Sequence, residues 1–181
     1  SSSGNLTVNH NDPAGITALQ LYNGIGLSAL GTITYTGSAD VTADGYAITA
    51  RIGNGLTSIT QTAGTIRGGT GIQAVGSGPN ASVNINSIGS RIVAGQAIFV
   101  VTDGSQSDVT IATGAVTGIT TQAGGAIYVR MGQSLNTARN LSVTTNGAIV
   151  GGIYLQNGGV GTVDLTTNAS EIGRASCRER V

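Results

Sequence analysis

The chain has 181 residues, of which only 9% are charged and 3% aromatic while 30 are Gly; residues 1–170 contain no Lys, Glu, Cys or Trp, and their five Arg against six Asp leave a net charge of −1. That balance offers no basic stripe to follow a phosphate backbone, which excludes nucleic acid as an expected partner, and a cysteine-free body excludes a disulfide scaffold. Hydrophobic residues reach 39%, too many for a disordered tail, yet the longest clear apolar run, Ala97-Ile98-Phe99-Val100-Val101, is far short of the ~20 residues that cross a bilayer, so no membrane insertion of this segment is expected.

Helix is disfavoured along the whole chain. The good helix formers Lys and Glu are missing from residues 1–170, and few stretches of eight residues lack a Gly or a β-branched residue. Short alternating apolar bursts bounded by Gly, Asn, Asp and Ser predict strands and turns instead.

In chain order, Asn9-His10-Asn11-Asp12-Pro13 reads as a polar loop holding the single His. Thr32-Ile33-Thr34-Tyr35 is a first strand, and Ala47-Ile48-Thr49-Ala50 follows it. The next round reads Ser58-Ile59-Thr60-Gln61, Gly64-Thr65-Ile66 and Gly71-Ile72-Gln73-Ala74-Val75. Then come Ser82-Val83-Asn84-Ile85, Gly89-Ser90-Arg91-Ile92 and Ala97-Ile98-Phe99-Val100. The same order returns in Asp108-Val109-Thr110-Ile111, Gly114-Ala115-Val116 and Ala126-Ile127-Tyr128-Val129. It returns again in Asn140-Leu141-Ser142-Val143, Gly147-Ala148-Ile149 and Gly152-Ile153-Tyr154-Leu155, and Thr162-Val163-Asp164-Leu165 opens another round. The third segment advances from Ile48 to Ile72, Ile98, Ile127 and Ile153, in steps of 24, 26, 29 and 26 residues.

The last eleven residues break the pattern. Glu171-Ile172-Gly173-Arg174-Ala175-Ser176-Cys177-Arg178-Glu179-Arg180-Val181 back-translates codon by codon onto the common short-read sequencing adapter. Residues 171–181 are therefore expected to be read-through, trailing off as coil, with residues 1–170 as the repeat region. The only Cys and both Glu fall in that run. The chain opens at Ser1 without Met, and it is read as a fragment cut at both ends.

A period near 25 residues with three short strands predicts an all-β solenoid, a right-handed parallel β-helix with one coil per period. Coils ~4.8 Å apart would make a rod about 30 Å long, with Ile, Val, Leu and Ala inside and Gly and Asn at the corners. Stacking also accounts for the scarcity of charge, since a repeated Lys or Glu would sit against its like on the next coil.

Chemistry-bearing residues are few. Asp40 with Asp44 and Asp103 with Asp108 are the only carboxylate pairs that acid/base work on a glycosidic bond would draw on; Asp44-Gly45 and Asp103-Gly104 read more simply as turn dipeptides. No acidic cluster suggests a metal site, and no cofactor is expected. Phe99, Tyr128 and Tyr154 hold equivalent places in successive third segments. With Ile127 and Val129 inward, Tyr128 points outward, so these three form a candidate binding stripe beside Arg130 and Gln156. Ladder packing is the plainer role for them.

Segments such as Asp108-Val109-Thr110-Ile111-Ala112-Thr113-Gly114-Ala115-Val116-Thr117-Gly118 and Asn140-Leu141-Ser142-Val143-Thr144-Thr145-Asn146-Gly147-Ala148-Ile149 resemble the passenger domains of bacterial autotransporters. The resemblance covers residues 5–170 and is one of repeat style. It implies export through the outer membrane, display at the bacterial cell surface or release outside it, and continuation into a C-terminal translocating β-barrel. The role it implies is that of a non-enzymatic stalk or adhesin surface meeting a glycan or protein partner. The second reading is a polysaccharide-acting lyase or hydrolase of the same fold whose catalytic coils are missing.

Overall fold

Alternation along each segment decides its pairing. In Val109-Thr110-Ile111 the two apolar residues are buried and Thr110 is exposed, so the strand can satisfy its backbone only by lying flat against equivalent strands on either side. The computed structural model describes residues 4–18, 23–104, 106–119, 125–132 and 139–168, and the backbone of 171–172 and 175–179. Its strands are β1 (Leu6–His10), β2 (Ile16–Ala18), β3 (Asn23–Ala29), β4 (Ile33–Gly37), β5 (Val41–Ala43), β6 (Tyr46–Ile52), β7 (Leu56–Gln61), β8 (Thr65–Gly76) and β9 (Ser82–Thr102). They continue as β10 (Val109–Gly118), β11 (Ile127–Met131), β12 (Leu141–Thr145), β13 (Ile149–Val150), β14 (Ile153–Asn157), β15 (Val163–Thr167), β16 (Glu171–Ile172) and β17 (Ala175–Glu179). There is no α-helix among the described residues.

Every pairing is parallel, and each strand pairs with its counterpart one period away, as β1 does with β4, β4 with β7 and β7 with β9. The result is a β-solenoid of about six turns with three faces per turn. β9 passes round all three faces without a break, and β10 round two.

The core is a set of ladders. On the third face Ile25, Ile48, Ile72, Ile98, Ile127 and Ile153 are successive rung partners, all buried. Ile16, Val41, Ile66, Ile92, Val116 and Ile149 are successive rung partners on the second face, all buried except Ile16, which is partly buried. On the first face one rung series runs Val8, Tyr35, Ile59, Ile85, Ile111, Val143 and Leu165. Fully burying one such aliphatic side chain stabilises the fold by about 1.5–3 kcal/mol, and the effect repeats at each rung.

Corners need special backbone where the chain turns hardest. Gly64 has φ 82°, and a Cβ there would lie 2.8 Å from the backbone carbon of Ala39 one turn earlier, so only Gly fits. Gly37 is required for a different reason: the Tyr35 ring folds over it, and a Cβ would come 2.8 Å from Tyr35 Cζ.

β1, β2 and β3 form the first turn, before residue 32. The ladders depart from the sequence expectation in two places. In the second round, Ser58-Ile59-Thr60-Gln61 is displaced by two residues: Tyr35 pairs with Ile59, and Thr57 takes the rung between Ile33 and Val83. A two-residue slip keeps the same residues inward, so alternation alone cannot detect it. The terminal run does not trail off as coil. Its backbone pairs Glu171–Ile172 with Ile149–Val150, and Ala175–Glu179 with Ile153–Asn157. An open sheet edge presents unpaired N–H and C=O groups that accept any extended segment arriving at coil spacing. The register nevertheless sets Glu171 on a rung that six earlier turns fill with Ile or Val. The side chains of Ile172 and Cys177 lie outside the described residues.

Ile98 sits between Ile72 and Ile127 at the middle of its ladder. Ile98→Ala should cost about 2–5 kcal/mol in urea unfolding followed by circular dichroism. Ile98→Asp should abolish the cooperative transition, because an unpaired charge would be buried. Wild-type midpoints for both variants would overturn the ladder.

Candidate functional site

On the third face the positions that alternate with the Ile ladder form a column running Gly26, Thr49, Gln73, Phe99, Tyr128 and Tyr154, of which Thr49 and Gln73 are buried. Its lower half is polar, with the Thr49 hydroxyl donating to Gln73 Oε1 at 2.9 Å. Above that it turns aromatic. Phe99 and Tyr128 stack with ring centroids 5.2 Å apart and planes 10° from parallel; Tyr128 and Tyr154 stack at 5.0 Å and 13°. All three rings are half-buried. The alignment of Phe99, Tyr128 and Tyr154 read from the sequence is thus the alignment the register produces.

The stack changes what the stripe can do. Each face of Tyr128 lies against a neighbouring ring, so Tyr128 presents its ring edge and hydroxyl rather than an open face. Tyr154 has a ring neighbour on one side only among the described residues. Its hydroxyl donates to Gln156 Oε1 at 3.0 Å.

Beside the rings runs a second outward column of Arg51, Val75, Val101, Arg130 and Gln156. Arg130 reaches Asp103 at 4.0 Å, with both side chains half or more exposed. Asp103, Arg130, Met131, Gly132 and Gln156 line a depression of about 300 Å³.

Of the remaining acidic residues, Asp12, Asp40, Asp44 and Asp108 lie between strands, and Asp164 lies within β15. Asp40 Oδ1 accepts from the Thr65 amide at 2.7 Å, and Asp108 Oδ1 from the Asn140 amide at 2.7 Å, each bond tying one turn to the next. Asp12 Oδ1 accepts from the Ala14 amide at 2.9 Å, and Asp164 Oδ2 from the Thr162 hydroxyl at 3.1 Å. Asp44 occupies a bend next to Gly45. Of the two carboxylate pairs singled out from the sequence, Asp103 lines the depression without Asp108, and Asp40 and Asp108 each hold a backbone amide of the next turn. Asn5 and Asn54 make the same kind of inter-turn bond, to the amides of Thr32 and Asn80. No group of three His, Cys, Asp or Glu side chains is placed to hold a metal among the described residues.

His10 is not in a polar loop. It ends β1, faces inward and is buried, with Nδ1 3.4 Å from the Tyr35 hydroxyl. That hydroxyl donates to Gln61 Oε1 at 3.1 Å, while Gln61 Nε2 donates to the carbonyls of Ala39 and Ala63. The alternation of Leu6-Thr7-Val8-Asn9-His10 was the available signal: it puts His10 on the inward side with Leu6 and Val8. Burial pushes the Tyr35 hydroxyl up to about 12 from 10.0.

Sequence reasoning also passed over Arg139, which is fully buried. Its Nη1 donates to Gly104 O at 2.5 Å and its Nη2 to Gly132 O. Burial pulls its guanidinium below the usual arginine range, and the Asp108 carboxylate opposes that shift. Nothing in the residue's neighbourhood, Ala138-Arg139-Asn140, distinguishes it from an exposed arginine.

No family model matches the chain, and neither a curated protein nor a solved structure matches it.

Two outcomes follow from this geometry. The fold favours neutral Tyr35 over the unfolded chain, so its stabilisation is complete below pH 10 and is lost as pH rises toward about 12. Denaturation midpoints should fall through that window, and a Tyr35→Phe variant should lose the steeper part of the fall. For the stack, Tyr128→Ala should destabilise by about 1–3 kcal/mol beyond lost area, since two aromatic pairs break at once. Phe99→Ala and Tyr154→Ala should each show a smaller excess, and equal losses in urea titrations would count against the stack.

Proposed function

We propose that the chain is a non-catalytic segment of a surface-displayed passenger β-helix of the autotransporter kind, serving as a stalk whose third face is adhesive. The observation that carries this reading is where the carboxylates go. Asp12, Asp40, Asp108 and Asp164 accept hydrogen bonds within turns or between them, and such commitment suits a rod that must stay in register rather than a cleft performing acid/base chemistry. The repeat style of residues 108–118 and 140–149 supplies the passenger comparison. A bacterial surface location, export through an outer membrane and a following translocating β-barrel belong to this proposal. So does an outside partner, glycan or protein, met by the column of Phe99, Tyr128 and Tyr154.

A stalk needs stability spread evenly along its length, and repeat proteins achieve this because each unit holds only its neighbours. The unbroken ladders of three faces support that role. The lyase or hydrolase alternative would need two carboxylates flanking one bond, and the corner hydrogen bonds of Asp40 and Asp108 speak against the pairs Asp40 with Asp44 and Asp103 with Asp108, since each pair has one member tied to a backbone amide.

Placed in frame between an export signal and a translocating β-barrel, the chain should appear on intact bacteria as a fragment that added protease can release. The purified chain should generate no new reducing ends or unsaturated products from polygalacturonate. Retention inside the cell would sink the passenger reading. Product formation abolished by Asp40→Asn or Asp103→Asn would revive the enzyme.

A further inference from the structure

We infer that the depression bounded by Asp103, Arg130, Gly132 and Gln156, beside the hydroxyl of Tyr154, is a binding subsite for an uncharged saccharide presenting adjacent hydroxyls. This deepens the adhesive half of the function proposed above, and it moves the contact from the ring faces to the groove next to them.

Both faces of Tyr128 are spent on neighbouring rings, so a sugar cannot lie flat across it. The neighbouring column offers what the rings do not. Asp103 and Arg130 stand 4.0 Å apart with side chains 62% and 50% exposed. At that length neither saturates the other, and both retain hydrogen-bonding capacity. A carboxylate accepts from two hydroxyls, a guanidinium donates a planar pair, and the Gln156 amide does one of each. The three planar groups line one depression of about 300 Å³, at the small end of ligand sites and suited to a pyranose-sized group.

Charge selects the ligand class. The depression holds one Asp and one Arg, so an anion would meet the Asp103 carboxylate and a cation the Arg130 guanidinium. A neutral polyol can use both.

The floor is built rather than incidental. Gly132 leaves the space open: a Cβ there would stand 3.2 Å from Asp103 Oδ1. Behind it, fully buried Arg139 donates to Gly132 O and to Gly104 O, the carbonyl next to Asp103. One cation thereby fixes the backbone on both sides of the site, and Gly132 N adds a 2.6 Å bond to Thr102 O. Preorganisation of this kind lowers the ordering cost of binding.

The test is calorimetric titration of the intact chain with neutral hexasaccharides of β-1,4-glucan, α-mannan and β-galactan, with oligogalacturonate as the anionic counterpart. At least one neutral probe should bind. Asp103→Asn, Gln156→Ala and Gly132→Ala should each weaken it about tenfold, the loss expected for one charge-assisted hydrogen bond or its equivalent. Thr110→Ala, on the exposed first face, should leave binding unchanged. Circular dichroism on each variant separates lost contacts from lost fold. Absence of binding to all three neutral probes, stronger binding to oligogalacturonate, or retained affinity in folded Asp103→Asn and Gln156→Ala would each overturn the subsite. Surface display would still stand in those cases, whereas cleavage of a probe would overturn the non-catalytic reading itself.

Discussion

Parallel, in-register stacking of one turn on the next is the constraint from which the rest of this molecule follows. At a spacing of ~4.8 Å every side chain meets the counterpart one period away, so each position is chosen for how it packs against itself. Ile on Ile and Val on Ile fill the interior without large residues. Thr, Ser and Asn dominate the outer columns because they tolerate their own kind. Repeated Lys or Glu would repel at that distance, which accounts for a body with eleven charged side chains in 170 residues.

The same constraint makes the exceptions informative. Tyr35 is the one large polar-tipped side chain on an otherwise aliphatic rung, and it is accommodated because Gly37 opens space and Gln61 Oε1 accepts a hydrogen bond from its hydroxyl. Arg139 is a second exception, a cation inside a corner, held by two backbone carbonyls and facing the Asp108 field. It lies in the longest turn of the rod, where Val109 and Leu141, 32 positions apart, are rung partners. Extra chain length must be tied down if the ladders above and below are to stay in register, and a buried arginine with several donors does that where an aliphatic residue would leave the carbonyls unpaired.

Function sits on the outside of this frame. Stacking turns Phe99, Tyr128 and Tyr154 into a single column, and it sets Arg130 directly beside Gln156. A rod of this kind can thus present an extended, weakly charged surface while Asp40 and Asp108 tie one turn to the next at its corners. The proposed stalk role and the proposed saccharide subsite both rest on that division of labour between inward, corner and outward positions.

The sequence by itself determined the class of fold, the period and most of the ladders. Alternation of period two separates inward from outward residues within any strand, and the recurring Ile48, Ile72, Ile98, Ile127 and Ile153 mark the third face unaided. It also aligned Phe99 with Tyr128 and Tyr154. Only the tertiary structure decided matters that depend on distance between turns. The two-residue slip at Thr57 is invisible to a pattern that repeats every two residues. The stacking of ring on ring, which closes the faces that an isolated reading leaves open, depends on coil spacing. The joining of Asp103, Arg130, Gly132 and Gln156 depends on which corners a buried Arg139 draws together, residues up to 53 positions apart. Local chemistry fixes which way a side chain points; what it meets there is set by the turn above and the turn below.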